Sequence, residues 1–218
     1  EAFHESLKND ADELMTRYYG KSARSLLIAY PEFQIEKHVV KPVTMRYDDC
    51  RYPGFDPGTS EAGILMCMAP EIVDDEEELA KMSEQEKWYR TRPGCIVVYD
   101  ECLIKNANAN MVADKFKELV DKYPEKGIQD LTIDEKGSKT VVWRGMKVGE
   151  NPGTIYKEAI KRTEIVPYDS TEDKDWHWQY GSNDVDYGVA RTKDYLCIAP
   201  DGLPRLFITE NCERLIYQ

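Results

Sequence analysis

Two acidic residues stand where apolar, strand-like runs end and a third, Asp56, stands just ahead of such a run at Gly63; their positions suit the binding of divalent cations. Asp56 lies between two glycines in YPGFDPG, Glu101 closes the run IVVYDE, and Asp134 follows LTI. Carboxylates brought together from separate strands form the oxygen-rich sites that Mg²⁺ and Mn²⁺ prefer. Two such ions, about 4 Å apart, can activate water and stabilise the leaving oxygen of a phosphodiester. The pattern therefore predicts phosphodiester hydrolysis.

Each acidic segment also has an ordinary structural interpretation. Asp, Pro and Gly are common turn residues, so YPGFDPG could be a surface turn. The other two segments could be solvated strand ends. Because side chains alternate along a strand, Asp100 and Glu101 face opposite ways and only one of them can join a given site.

Motifs of other catalytic classes are missing from the sequence. It contains no Gly-x-Ser-x-Gly, no Gly-rich phosphate-binding loop ending in Gly-Lys-Ser/Thr and no Cys-x-x-Cys pair. The three histidines have no obvious nucleophile partner: His4, His38 and His177. A metal site built from carboxylates therefore has no competitor within the sequence.

Composition indicates a single globular domain over residues 1–218, enough chain for one good-sized core. No apolar run approaches the roughly 20 residues that a membrane helix needs. The six dispersed cysteines favour a reducing compartment. A net charge of −12 argues against a nucleic-acid partner. Its distribution is uneven, however, because residues 71–86 are strongly acidic and residues 136–162 strongly basic.

The spacing of apolar residues predicts an α/β sheet with helices on its faces. Strands or extended segments are expected at 39–45, 63–68, 96–103, 128–133, 140–143 and 206–209. Helices are expected at 4–20, 110–123, 152–162 and 185–196. We also expect a helical surface insertion at 71–88 and an irregular aromatic stretch at 165–181. The aromatic residues of that stretch could stack on bases or pack in a core: Trp176, Trp178 and Tyr180.

In this order, the segments resemble the nuclease domain of the large terminase subunit of tailed bacteriophages. The similarity begins at YYGKSARSLLIAYPEFQIEKHVV and continues through RYPGFDPGTSEAGIL and IVVYDECLIKNANANMVADKF. It ends with YGVARTKDYL and GLPRLFITENCERLIYQ. The resemblance implies a ribonuclease H-like (RuvC-like) mixed sheet flanked by helices. It also implies that residues 1–45 lead in from a missing ATPase domain, with insertions near 70–92 and 150–180.

The same resemblance assigns roles to the acidic residues. Asp56 matches the first metal-binding aspartate, Asp134 the second, and Glu101 a common acidic position on the intervening strand. The family's third acid lies in a helix near the C-terminus of the domain, in a sequence like Asp-His-x-x-Asp-Ala. No such sequence occurs before Gln218. We therefore expect this acid beyond the end of the chain, or a substitute at Asp184 or Asp186.

A family match would also give the basic stretch a role, because it begins two residues after Asp134. Its candidate DNA contacts are Lys136, Lys139, Arg144 and Lys147. The alternative is that these residues form a solvated face and loop.

The activity that the resemblance implies is two-metal cleavage of concatemeric double-stranded viral DNA during genome packaging, with Mg²⁺ or Mn²⁺. The expected partners are DNA, the portal protein and the small terminase subunit, in the host cytoplasm and without a membrane. One alternative is another ribonuclease H-like nuclease, such as a Holliday-junction resolvase or a transposase core. The other is a non-enzymatic phage structural or adaptor protein.

Overall fold

The computed structural model describes residues 30–56, 61–123, 131–133, 178–180 and 184–217, which contain seven strands and six helices. The strands are β1 (Val39–Val40), β2 (Cys50–Asp56), β3 (Glu61–Ala69), β4 (Ile96–Lys105), β5 (Leu131–Ile133), β6 (Trp178–Tyr180) and β7 (Leu206–Thr209). The helices are α1 (Ile35–His38), α2 (Glu76–Leu79), α3 (Glu84–Arg90), α4 (Ala109–Asp121), α5 (Val185–Leu196) and α6 (Glu213–Tyr217). The elements predicted at 4–20, 140–143 and 152–162 lie outside these residues.

All seven described strands form one mixed sheet, in the order β1-β7-β4-β3-β2-β5-β6. β3 pairs antiparallel with β2 and with β4, and the other described pairs are parallel. Six strands therefore run in one direction. Because β2 and β5 are parallel neighbours, their carboxyl ends meet at the same edge of the sheet, where α/β folds usually bind ligands.

Helix α4 covers one face of the sheet and confirms the helix predicted at 110–123. Its buried residues recur at helical spacing, as Val112, Phe116 and Leu119 do. Phe116 packs edge-on against Phe55 of β2, with 5.1 Å between the ring centroids. Asn108 precedes and caps the helix, because its side chain accepts a 3.0 Å hydrogen bond from the Met111 amide. This packing fixes which face of β2 is buried.

A bulge in β4 changes which side chains face α4. Met66 pairs with Asp100 but Cys67 pairs with Val98, so that Tyr99 is the extra residue. Val97 and Tyr99 both belong to the core on the α4 side. The extra residue offsets the alternation of side chains along β4 by one position. After the bulge, Asp100 therefore faces α4 and Glu101 faces the opposite side of the sheet.

Two predicted segments differ from the structure. Residues 71–88 contain surface helices as expected, but the end of α3 is a core element, since Trp88 packs against the core and Tyr89 is buried within it. The aromatic stretch is not irregular throughout, because Trp178–Tyr180 forms β6 and pairs with β5. In both cases long-range packing, which local composition does not encode, decides the outcome.

The remaining predicted elements are recovered within the described ranges. β3, β4 and β7 confirm the strands at 63–68, 96–103 and 206–209, and α5 confirms the helix at 185–196. Only Val39–Val40 of the extended segment at 39–45 forms a strand, and β5 covers the last three residues of 128–133. No helix in the described part of the chain is long and apolar enough to cross a membrane.

Candidate active site

A cavity of about 400 Å³ lies between α6 and the face of the sheet that α4 leaves open. Asp56, Glu101 and Arg214 are among the residues that line it. The strand register explains why the two acids share this face. Gly54, Leu65 and Glu101 form one cross-strand row, and the next row on the same face begins with Asp56.

Asp56 is the exposed last residue of β2. It forms no hydrogen bond or ion pair with another described residue. The cavity is open beside Asp56, because Gly54 and Gly63 have no side chains to fill the space on this face. A Cβ added at Gly63 would lie 3.7 Å from the Asp56 Cβ, in the space that is now open. The carboxylate is therefore accessible to a ligand approaching along the sheet.

Glu101 enters the cavity but its carboxylate is already engaged by backbone amides. One carboxylate oxygen accepts from the Arg214 amide at 2.6 Å, and the other accepts from the Leu215 amide at 3.1 Å. These amides belong to the first turn of α6, where backbone N–H groups have no carbonyl partner within the helix. Glu101 therefore caps α6, a role that the sequence did not indicate because the partners are more than 100 residues away.

Asp100 lies on the opposite face and is excluded from the cavity. It is 6% exposed, and its carboxylate accepts hydrogen bonds from Lys122 Nζ at 2.7 Å and from the Tyr123 hydroxyl at 3.1 Å. Burial raises the pKa of Tyr123, and the nearby Asp100 charge raises it further, so the phenol remains a donor. The prediction that the two adjacent acids face opposite ways is confirmed, and of the two only Glu101 lines the cavity.

The segment after β7 is fixed to the β4 bulge, which holds α6 over the cavity. Thr209 Oγ1 lies 3.0 Å from the carbonyl oxygen of Tyr99 and 3.2 Å from that of Val98. Asn211 Nδ2 donates to the same Tyr99 carbonyl at 3.0 Å. These side chains satisfy carbonyl groups at the bulge. The sequence FITENCER thus carries the residues that place Arg214 in the cavity.

The donor atoms in the cavity suit a hard cation. Asp56 supplies a carboxylate that no other described residue engages, and burial raises the pKa of the Cys102 thiol, which disfavours a thiolate ligand. Among the described residues, however, no group of three or more His, Cys, Asp or Glu side chains could hold an ion. Asp134 lies outside the described residues, directly after Ile133, which pairs with Phe55. The described site therefore fits one carboxylate ligand of a divalent ion.

The other predicted site residues are not brought to this cavity by the described structure. Asp186 is exposed in the first turn of α5 and is not a lining residue. Asp184 caps that helix by accepting a 2.9 Å hydrogen bond from the Tyr187 amide. The predicted DNA contacts lie outside the described residues: Lys136, Lys139, Arg144 and Lys147.

Solved structures of bacteriophage large terminases are similar to this chain in fold. The large terminase of a thermophilic bacteriophage matches with a TM-score of 0.53 and 11% identity, over 87% of this chain and 35% of that one. The nuclease domain of the P22 large terminase matches with a TM-score of 0.50 and 12% identity, over 86% of this chain and 75% of that one. This chain thus spans about a third of the length of the thermophilic phage protein. No protein-family model and no curated protein matches the sequence.

The fold predicted from the sequence is confirmed: it is an α/β, ribonuclease H-like mixed sheet flanked by helices. More particularly, it is the fold of terminase large-subunit nuclease domains. At 11–12% identity the likeness establishes architecture, and chemistry has to be argued from the site itself.

Proposed function

We propose that this chain is a metal-dependent endonuclease that cuts double-stranded viral DNA during genome packaging. The observation that carries the proposal is the Asp56 carboxylate at the carboxyl end of β2, exposed in an open cavity and unpaired among the described residues. The P22 domain with the same fold is described as a nuclease, which supports the same class of activity here.

Asp56 and Asp134 would hold Mg²⁺ or Mn²⁺, with two ions in the complete site. The pairing of Ile133 with Phe55 supports this assignment. Asp134 directly follows Ile133 in the sequence, and Asp56 directly follows Phe55. When bound, such ions supply activation of the attacking water and charge stabilisation of the departing 3′ oxygen. Asp56 and Asp134 would hold the ions, Gly54 and Gly63 leave the space beside Asp56 open, and Glu101 positions α6 along one side of the cavity.

Cleavage is expected to show little sequence preference, because phosphate contacts position DNA without reading its bases. The basic residues proposed to contact DNA are Lys136, Lys139, Arg144 and Lys147. In a packaging motor the chain would act with the portal protein and the small terminase subunit in the host cytoplasm.

Cleavage of supercoiled plasmid in Mn²⁺, in Mg²⁺ and in EDTA tests the activity. We expect nicked and linear products with either metal and none in EDTA. Equal amounts of linear duplex and four-way junction should be compared in parallel, because a junction resolvase would cut the junction preferentially. Absence of cleavage together with absence of Mn²⁺ binding would favour the structural or adaptor protein instead.

A further inference from the structure

We propose that Arg214 is a phosphate-contacting residue of this site and that Glu101 positions it, instead of ligating a metal. The inference rests on the proposed nuclease function and adds two roles to it. Both residues line the cavity with Asp56.

Besides the proposed metal ions, the described lining of the cavity offers one cation to an incoming phosphodiester. The described lining contains two carboxylates, Asp56 and Glu101, and one cationic side chain, Arg214. A phosphodiester entering beside Asp56 would be repelled by the carboxylates. A guanidinium group offsets this repulsion and can donate two parallel hydrogen bonds to phosphate oxygens.

Arg214 differs from the other arginines in the described ranges by having no partner there for its guanidinium group. The others form ion pairs or bond to carbonyl groups: Arg46, Arg51, Arg90, Arg92, Arg191 and Arg205. The Arg214 side chain is exposed at the cavity wall. Its donors are therefore available to an incoming anion.

The Arg214 backbone, by contrast, is held firmly. Glu101 accepts hydrogen bonds from the amides of Arg214 and Leu215, and Thr209 and Asn211 fix the preceding loop to β4. The Glu101 carboxylate already accepts three hydrogen bonds from these two amides, at 2.6, 3.1 and 3.4 Å. The fixed backbone keeps Arg214 at the cavity wall, from where its free guanidinium group can form hydrogen bonds to a bound phosphate.

DNA binding without metal tests the role of Arg214. The affinity for a short duplex in EDTA should be measured as a function of salt for the wild type and for Arg214→Gln. We expect the slope of log K against log salt to fall by about 0.9, the value for one lost phosphate contact. Arg191→Gln removes the same charge from an exposed arginine on α5 and should leave the slope unchanged. Equal slopes for Arg214→Gln and the wild type would overturn the proposal.

Cleavage by Glu101 variants tests the positioning role. Arg214→Gln should lower the Mn²⁺-dependent rate about 100-fold, because it removes one positioned donor to the reacting phosphate. Glu101→Ala should lower the rate by a similar factor, because Arg214 is then no longer held in position. Glu101→Gln should restore part of this rate, since its single amide oxygen can still accept from the Arg214 amide, while the bond to the Leu215 amide is weakened. The half-saturating Mn²⁺ concentration should not change. A Gln variant as slow as the Ala variant, with a raised Mn²⁺ requirement, would make Glu101 a metal ligand.

The Arg214 role and the nuclease function fail differently. If the wild type binds and cuts DNA while Arg214→Gln retains both the slope and the rate, the Arg214 role is wrong and the nuclease function stands. If the wild type neither binds nor cuts DNA, the nuclease function fails and the Arg214 role fails with it.

Discussion

Asp56→Asn is expected to lower the Mn²⁺-dependent cleavage rate by about 10³-fold. The change keeps the size of the side chain but removes the charge that would hold the ion. Metal ions contribute several kcal/mol of charge stabilisation to such reactions, and about 1.4 kcal/mol corresponds to a factor of ten in rate. The measurement is the initial rate of plasmid nicking at saturating Mn²⁺, together with the thermal midpoint of each protein.

The fold should not suffer from this substitution, because Asp56 is exposed and has no hydrogen-bond or ion-pair partner among the described residues. Asp121→Asn is the matched control, since Asp121 is an exposed aspartate at the end of α4 that pairs with Lys117 on the surface. Its cleavage rate should equal that of the wild type. If Asp56→Asn and Asp121→Asn cut equally fast, Asp56 is not part of the reaction.

Arg90→Met is expected to reduce the free energy of unfolding by about 3–5 kcal/mol, the usual cost of removing one partner of a buried ion pair. Arg90 is fully buried and donates to both carboxylate oxygens of Asp49, at 2.7 and 2.9 Å. Burial lowers the pKa of Arg90 more than any other single cause raises it, but the hydrogen bond to Asp49 and the charges of Asp49, Tyr89 and Glu86 together raise the pKa above its ordinary value. The substitution therefore leaves the Asp49 carboxylate, itself 1% exposed, without a cation.

Urea unfolding measures this loss through the midpoint at an unchanged slope. The double variant Asp49→Asn/Arg90→Met should recover part of the stability, because it removes the orphaned charge while the Asn oxygen can still accept from the Arg46 or Glu71 amide. Arg191→Met, at an exposed pair with Asp194, should cost less than about 0.5 kcal/mol. A loss for Arg90→Met no larger than for Arg191→Met would show that the buried pair contributes little.

The sequence predicted those elements whose patterns are local. The apolar run at 63–68 and the helical spacing of Val112, Phe116 and Leu119 each depend on neighbouring residues, and both became elements of the expected kind. The glycines of YPGFDPG likewise marked Asp56 as accessible, although the segment was expected as a turn and Cys50–Asp56 instead forms β2, which pairing with β3 and β5 holds extended. These signals do not require knowledge of the rest of the fold.

The missed features depend on contacts between distant residues. The bulge at Tyr99 decides which face Glu101 occupies, and its carbonyl is satisfied by Thr209 and Asn211. The cap of α6 by Glu101 is likewise invisible to local pattern. Without these contacts, Glu101 is read from the sequence as one more candidate metal ligand.

Above all, we propose that Asp56 holds a metal ion in the cavity where DNA is cut. Anomalous diffraction from crystals soaked in Mn²⁺ tests it most directly. We predict a Mn²⁺ peak at coordination distance, about 2 Å, from an Asp56 carboxylate oxygen. We also predict that the peak is absent from crystals of Asp56→Asn treated in the same way. A saturated soak without Mn²⁺ density at Asp56, or with density that survives in the variant, would contradict this role for Asp56.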